Sequence, residues 1–354
     1  MATAQTTAPA PVRAAAQHPP ASYDRVLVWL LAASVAGAVL QITLGGVVRV
    51  TGSGLGCPDW PLCHGSIVPI FRDYHTALEW SHRLTGSLLG IILIAAAART
   101  WFRRSPGAGI AGFSLNGSRE PALAWLTTVT LVLVAIAGGI GGSVVLTELD
   151  PGLRTLHLAL AEGVALSAAA AWTVATHSAA RNGTLAAGAA GPGQGAPRKT
   201  FRLSALAAAA VLAALLSGSY AVWRSAGEVC PSWPLCGGPV LPDNEFTMVH
   251  MTHRLLAGIG AALALWAAHR AFRLKDGPPA LKLVALGGLA LVTAQVLVGA
   301  ANPWTRFDEW ARALHLTLAT LLWVDMALVA LMGLRPVPKA GSAGSSAIAA
   351  GAQN

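Results

Sequence analysis

Charged residues are scarce in this chain of 354 residues: only 11% are charged, whereas 54% are hydrophobic and the mean hydropathy is +0.58. So small a polar fraction excludes a water-soluble globule of this length, because polar side chains could not cover its surface. The net charge of +9 does not indicate nucleic-acid binding, because the sequence has no basic patch interleaved with aromatic residues. The composition predicts an integral membrane protein that is attracted to anionic lipid.

Long apolar runs take the place of the missing polar surface. A membrane-spanning helix needs about 20 apolar residues, and eight runs reach that length, at roughly 27–48, 78–100, 122–145, 153–175, 203–223, 248–272, 281–301 and 311–334. The predicted fold class is therefore an all-α membrane protein with eight transmembrane helices. The first run has full spanning length, so we expect no cleavable signal peptide. Most Lys and Arg residues fall on one side of these runs, which predicts cytoplasmic N- and C-termini.

An internal repeat divides the chain into two halves. The segment Cys57-Pro-Asp-Trp-Pro-Leu-Cys63 recurs as Cys230-Pro-Ser-Trp-Pro-Leu-Cys236, and each copy precedes an apolar run with a His-Arg pair, His82-Arg83 or His253-Arg254. Later in each half, Arg154-Thr-Leu-His157 matches Arg312-Ala-Leu-His315. The chain is therefore an internal duplication of one membrane-spanning unit.

The repeat and the composition together predict the domain organisation. Four helices per half give both copies the same orientation in the membrane, which predicts two pseudo-symmetric four-helix bundles. The bundles are expected at 23–175 and 201–335, joined by a flexible cytoplasmic linker rich in Gly, Ala and Pro at 176–200. Disordered tails are expected at 1–22 and 336–354.

The only cysteines are the two pairs in the repeated loops, Cys57 with Cys63 and Cys230 with Cys236. The predicted topology places these loops outside the cytoplasm, where close pairs favour two small-loop disulfides. Reduced structural cysteines are the alternative. A cysteine metal site is disfavoured, because the loops lack a consistent set of further ligands.

Four histidines, two in each half, lie within about a turn or two of the outer ends of their predicted helices: His82, His157, His253 and His315. Ionisable side chains inside a membrane usually face a bundle interior and serve a function. Two neutral imidazoles per bundle, without a carboxylate cluster or thiolate at that depth, indicate axial ligands of a haem rather than tetrahedral zinc. A cross-helix hydrogen bond would explain a single histidine more simply, but four at matched positions favour one haem in each half.

The halves differ most clearly where Glu79 corresponds to His250. Glu79 precedes His82 by one helical turn, so an acid there can transfer a proton or stabilise positive charge beside an iron ligand. The alternative is a glutamate at a helix start that complements the helix dipole. Arg83 and Arg254 also have two interpretations, as clamps on haem propionates or as side chains that snorkel to the membrane interface.

Three other polar residues have no assigned role in the sequence. Glu162 and Asp325 fall well inside their predicted helices, where an acid is costly and often belongs to a proton route, but no partner can be named for either. His250 offers a third histidine in the second half that competes with His253 as a ligand, and His253 is preferred because it matches His82.

Over roughly residues 25–335, the sequence resembles the haem A synthase family. The resemblance is carried by Leu44-Gly-Gly-Val-Val-Arg-Val-Thr-Gly-Ser-Gly-Leu-Gly-Cys-Pro-Asp-Trp-Pro-Leu-Cys63, then by Glu79-Trp-Ser-His82-Arg83, and then by His157, His253 and His315. It implies eight helices in two pseudo-symmetric bundles in the cell membrane, most simply a bacterial plasma membrane, with the haem sites towards the outer face. It also implies an oxidoreductase that oxidises the C8 methyl group of haem O to the formyl group of haem A, through a hydroxylated intermediate, for cytochrome oxidase.

By position, the resemblance implies that His82 and His157 bind the iron of the substrate haem O, and that Glu79 assists oxidation of the methyl group. His253 and His315 would ligate a haem b cofactor in the second half. The expected partners are haem O, membrane lipid, a haem O synthase and a membrane electron acceptor, and a homo-oligomer is compatible with the sequence.

Two other functions use the same histidines. An electron-carrying cytochrome b subunit would need paired helical histidines, but it does not explain the Glu79/His250 difference or the paired cysteine loops. A non-catalytic haem carrier would use the same pockets without needing Glu79. A prenyltransferase of the haem O synthase type is disfavoured, because its aspartate-rich diphosphate-binding motifs are absent.

Overall fold

Eight α-helices account for nearly all of the chain that the computed structural model describes, which is residues 24–102, 120–181, 198–237, 244–275 and 277–333. The predicted tails 1–22 and 336–354, and most of the predicted linker 176–200, lie outside the described residues. The helices are α1 (Arg25–Val50), α2 (Tyr74–Phe102), α3 (Glu120–Leu146), α4 (Pro151–Arg181), α5 (Arg198–Trp223), α6 (Glu245–Phe272), α7 (Pro279–Trp304) and α8 (Glu309–Gly333).

Each helix is long and apolar enough to cross a membrane, which confirms the eight predicted spans. The shortest, α8, has 25 residues, and at about 1.5 Å per residue even this helix exceeds a hydrocarbon core of about 30 Å. Side-chain caps set some of the helix starts: Asp24 accepts a hydrogen bond from the backbone N–H of Leu27, and Asn244 from that of Thr247. The cytoplasmic location of the termini stays a prediction.

The helices form two closed rings of four. In the first, α1 contacts α2, α2 contacts α3, α3 contacts α4, and α4 returns to α1; the helices α5 to α8 repeat this order. The predicted all-α fold of two four-helix bundles is confirmed. The bundles meet where α8 lies against α1 and α4, and where α4 lies against α5.

Alanine and larger apolar side chains together fill the interior of both bundles and the interface between them. One apolar cluster runs from Ala38 and Leu93 in the first half, through Val164 and Ala165 of α4, to residues of the second half such as Met326. Alanine at such positions lets helix backbones approach closely, which is how helices associate where apolar burial alone gives no advantage. The two halves therefore share one continuous core.

The connections between α1 and α2 and between α5 and α6 carry the repeated cysteine motifs. Cys57 is bonded to Cys63, and Cys230 is bonded to Cys236. The predicted pair of small-loop disulfides is confirmed. The cysteine motif of each loop lies against the first turns of the helix that follows it, α2 or α6, through contacts with Arg83 or Arg254.

Candidate functional site

The first pair of predicted site histidines meets inside the N-terminal bundle. His82 lies eight residues after the start of α2, and His157 lies six residues after the start of α4. Their ring centroids are 6.4 Å apart, and the ring planes are inclined by 77°. The structure thus brings together two imidazoles from opposite helices of one ring.

The second pair repeats this arrangement in the C-terminal bundle. His253 lies on α6 and His315 on α8, at the same distances from their helix starts as the first pair. The ring centroids are 6.5 Å apart, with planes inclined by 86°. The two halves therefore hold matched pairs of imidazoles.

The spacing of both pairs fits two axial ligands on one metal ion. Metal–imidazole bonds are about 2 Å long, and the nitrogen lies about 1 Å from its ring centre, so two opposed imidazoles place their centres about 6 Å apart. Among the described residues, no three His, Cys, Asp or Glu side chains gather into a metal site. The pairs therefore suit a metal that brings its own in-plane ligands, as haem iron does.

One imidazole in each pair is anchored through Nδ1. His157 Nδ1 lies 2.9 Å from the carbonyl oxygen of Ala137, and His253 Nδ1 lies 3.0 Å from both the carbonyl oxygen of Ala214 and the hydroxyl of Ser217. A carbonyl oxygen only accepts, so Nδ1 carries the proton in both rings and Nε2 presents a lone pair. A hydrogen bond of this kind is the usual support for a metal-binding histidine.

The other imidazole in each pair has a buried Nδ1 atom that finds no hydrogen-bond partner within the described residues: this holds for His82 and His315. An unpaired buried polar atom is costly in a finished core. The two pairs thus share this feature as well: one imidazole is anchored through Nδ1, and the other is not anchored by any of the described residues.

A polar network beside His82 is formed by side chains that the repeat does not preserve in the second half. Gln41 Nε2 donates to the carbonyl oxygen of His82 at 2.9 Å and lies 3.3 Å from His82 Nε2. Thr85 donates to Gln41 Oε1 at 2.6 Å. The repeat places the apolar residues Ala214 and Leu256 at the corresponding positions. Sequence reasoning missed this difference, although the alignment of the two copies contains it.

Glu79 is buried beside His82, with 5% of its surface exposed. Its Oε1 atom accepts a hydrogen bond of 3.0 Å from Nε of Arg83, one turn along α2. The acid predicted to assist chemistry thus lies inside the bundle as an ion pair, one helical turn from the candidate iron ligand. The catalytic role of Glu79 stays a prediction.

Arg83 also binds the disulfide loop above it. Its two terminal nitrogens donate to the carbonyl oxygens of Cys57, Asp59 and Leu62, at 2.7, 2.6 and 2.7 Å. Neither interpretation of this arginine from the sequence included such a role. The propionate role therefore stays a prediction, and the observed role of Arg83 is to tie Glu79 to the Cys57–Cys63 loop.

Arg254 binds the second disulfide loop in the same way. It donates to the carbonyl oxygens of Ser232, Pro234 and Leu235, at 2.7, 3.0 and 3.0 Å. Where the first half has Glu79, however, this half has His250, whose Nδ1 lies 2.8 Å from the carbonyl oxygen of Ala226. The two arginines thus share a structural role, and only Arg83 adds a carboxylate.

His250 and His253 have ring centroids 6.4 Å apart, the same separation as the cross-helix pairs. These two residues lie one turn apart on α6, however, and a haem macrocycle extends around its iron in every direction. A ring placed between them would collide with the helix that carries both. Geometry therefore supports His253 with His315 as the axial pair, and leaves His250 bonded to the loop carbonyl.

The acids deep in the helices are placed differently. Glu162 is completely buried on α4, and Thr320 of α8 donates to its Oε1 atom at 2.7 Å. Asp325 is also buried on α8, and its Oδ2 atom has no hydrogen-bond partner among the described residues. Glu162 thus gains a partner that the sequence did not suggest.

Comparison with known proteins identifies the family. The sequence profile of the COX15-CtaA family, described as cytochrome oxidase assembly protein, matches residues 27–327. The chain belongs to the haem A synthase family. The resemblance noted from the cysteine loop and the histidines is therefore confirmed, and it covers both bundles.

Three members of the haem A synthase family illustrate the similarity. The chain is similar to the heme A synthase of Methylobacterium sp. (strain 4-46), with 27% identity over 88% of this chain and 92% of the relative. It is similar to that of Symbiobacterium thermophilum, with 29% identity over 82% and 90%. It is also similar to that of Geobacillus kaustophilus, with 28% identity over 88% and 93%.

Proposed function

We propose that this protein is a haem A synthase, which oxidises the C8 methyl group of haem O to the formyl group of haem A through a hydroxylated intermediate. The observation that carries the proposal is the pairing of imidazoles in both bundles, at 6.4 and 6.5 Å, with a buried acid beside only one pair. Two matched haem sites, one of which has an added reactive group, suit an enzyme whose substrate is itself a haem.

The N-terminal bundle is the proposed substrate site. His82 of α2 and His157 of α4 would hold the iron of haem O between these two helices. Glu79 projects from the same face of α2 as His82, one turn nearer the outer end. An edge of the bound macrocycle would therefore lie within reach of the carboxylate.

The reaction removes electrons and protons from a carbon atom. Conversion of the methyl group and one water to the alcohol releases two electrons and two protons, and a second round gives a hydrated aldehyde that loses water to form the formyl group. Positive charge develops at this edge of the macrocycle as electrons leave. Glu79 is placed to stabilise that charge and to take a proton, and Arg83 holds its carboxylate in position.

The C-terminal bundle is the proposed cofactor site. His253 and His315 would hold a haem b, which when bound supplies electron transfer away from the substrate half. His250 replaces the acid there, and its imidazole is bonded to the carbonyl oxygen of Ala226. This half therefore keeps the pair of histidines but has no carboxylate at the position that corresponds to Glu79.

The proposed setting is the cell membrane, with both haem sites towards its outer face. The support is the position of all four histidines near those ends of α2, α4, α6 and α8 that lie on the side of the disulfide loops. Haem O would come from a haem O synthase, and the electrons would pass to a membrane acceptor.

The test is to express the chain with a supply of haem O, extract the pigments and search for haem A by mass spectrometry. We expect the wild type to form haem A, and Glu79→Gln to stop at less oxidised products. Glu245→Gln is the matched control, because Glu245 is an exposed glutamate near the start of α6 that pairs with Arg224. A wild type that binds haem but converts none would instead indicate a cytochrome b subunit or a haem carrier.

A further inference from the structure

Each of the four site histidines packs against a glycine of a neighbouring helix. Gly45 of α1 faces His82, and Gly141 of α3 faces His157. In the second half, Gly218 of α5 faces His253, and Gly299 of α7 faces His315 in the same way. Every odd-numbered helix thus contributes one glycine, and every even-numbered helix one imidazole.

The contact is the same in all four cases. A Cβ atom added to the glycine would lie closest to Cε1 of the imidazole, at 3.0 Å for Gly45, 3.0 Å for Gly141, 2.9 Å for Gly218 and 3.0 Å for Gly299. Carbon atoms in van der Waals contact are about 3.5 to 4.0 Å apart. Even the smallest side chain would therefore push the ring away from its helix.

We propose that Gly45, Gly141, Gly218 and Gly299 are positioning residues that set the location of the four imidazoles. The inference rests on the proposed function, in that it assigns these imidazoles to haem iron. A glycine inside a helix is less favourable than an alanine, and each of these four glycines lies where the edge of an imidazole meets a neighbouring helix backbone.

The physical reason lies in the spacing within each pair. Two axial ligands must approach one iron from opposite sides, and a site of this kind tolerates misplacement of only about 0.5 Å. Relief of a 3.0 Å contact requires a movement of that order, directed away from the helix that carries the glycine. The same movement would lengthen and weaken the Nδ1 hydrogen bonds of the two imidazoles that are held by the backbone carbonyls of Ala137 and Ala214.

The chain supplies matched controls for the substitution. A Cβ atom added to Gly139 of α3 or to Gly258 of α6 would meet nothing within 4 Å. Gly139→Ala and Gly258→Ala therefore introduce the same methyl group into helices of the two bundles without touching an imidazole. They report what a change from glycine to alanine does by itself.

The experiment measures bound haem in the purified protein, by pigment extraction and by the electron paramagnetic resonance of its ferric low-spin form. We expect Gly218→Ala and Gly299→Ala to weaken retention of haem b about tenfold or more, the range found when support of a metal-binding histidine is lost. Gly258→Ala should keep the haem content and the spectrum of the wild type. Unchanged haem content and spectrum in both Gly218→Ala and Gly299→Ala would overturn the inference.

The N-terminal half provides a test that does not depend on how well the first two variants fold. Gly45→Ala and Gly141→Ala should weaken binding of added haem O about tenfold while the haem b spectrum stays that of the wild type, which shows that the protein is folded. Gly139→Ala should bind haem O normally. Normal haem O binding by Gly45→Ala and Gly141→Ala would again contradict the inference.

The outcome is separable from the proposed reaction, since only haem binding is measured. A wild type that binds two haems and forms no haem A would refute the proposed function and leave the glycine inference standing. A wild type that forms haem A, with glycine variants that bind haem normally, would refute the glycine inference alone.

Discussion

Thr320 donates a hydrogen bond of 2.7 Å to Glu162, and the two residues occupy the same position in the two copies of the repeat. Glu162 follows His157 by the same interval as Thr320 follows His315. Both side chains are completely buried. The bond therefore runs from α4 to α8 between equivalent positions, and it is a completely buried polar contact in the interface of the bundles.

This contact predicts a strong coupling between two substitutions. Thr320→Val removes the donor and leaves a carboxyl group unpaired in an apolar interface, which should lower the free energy of unfolding by about 1 to 3 kcal/mol. The double variant Glu162→Leu with Thr320→Val replaces both partners by apolar groups and should recover most of that loss. Denaturant unfolding in mixed micelles measures the free energy of unfolding of the two single variants and of the double variant. Losses that simply add in the double variant would show that the two side chains do not interact.

Arg83 and Arg254 allow the roles of loop anchoring and of the carboxylate to be separated. Lysine cannot reproduce the several N–H donors of the guanidinium group. Arg83→Lys should therefore lower haem A formation about tenfold or more, because Glu79 loses its fixed position. Arg254→Lys loosens the corresponding loop in the half without the acid, and should lower product formation much less. Comparable losses in both variants would assign the effect to the loops and not to Glu79.

The sequence predicted those features that depend on local composition or on the repeat. The eight spans follow from the lengths of the apolar runs. The similarity of the two histidine pairs follows from the duplication, because corresponding residues on corresponding helices occupy corresponding positions in the two bundles. The disulfides of Cys57 and Cys230 follow from the separation of only 6 residues between the two cysteines of each loop. In each case the deciding information lies within one segment or in a comparison of two copies.

The features that the sequence did not predict depend on which helix face meets which loop or helix. Arg83 donates to backbone carbonyls, and the direction of a carbonyl depends on the loop conformation and not on residue type. Glu162 finds Thr320 only because α4 lies against α8. The glycines opposite the imidazoles, Gly45 among them, could not be distinguished from the many other glycines of the chain before the helices were packed.

The assignment of His253 over His250 has a direct test. His253→Ala should remove haem b from the purified protein, because it leaves His315 as a single axial ligand. His250→Ala should keep haem b with an unchanged low-spin spectrum, since His250 is bonded to Ala226 and shares a helix with the proposed ligand. Pigment extraction and the optical spectrum measure both variants. Loss of haem b from His250→Ala with retention in His253→Ala would reverse the assignment.

The two disulfide loops should respond differently to acid. Asp59 accepts hydrogen bonds from the backbone N–H groups of Gly65, at 2.8 Å, and His64, at 2.6 Å. These bonds hold the pKa of the Asp59 carboxyl below its ordinary value, and the bond from Gly65 has the largest effect. Because the folded pKa is the lower one, the stabilisation is complete above the ordinary pKa of about 4 and is lost as the pH falls through the folded value. Ser232 occupies the corresponding position in the second loop and does not titrate in this range.

Acid should therefore open the first loop selectively. A phosphine reductant should reduce Cys57–Cys63 faster relative to Cys230–Cys236 at about pH 3 than at about pH 6, a range that brackets the ordinary aspartate pKa. The ratio of the two rates is the useful quantity, because the second loop of the same molecule cancels the pH dependence of the reagent. Asp59→Asn should abolish the change in that ratio, since an amide cannot gain a proton there. Mass spectrometry of alkylated peptides follows both disulfides at once, and a ratio that stays constant in the wild type would show that Asp59 does not hold the loop.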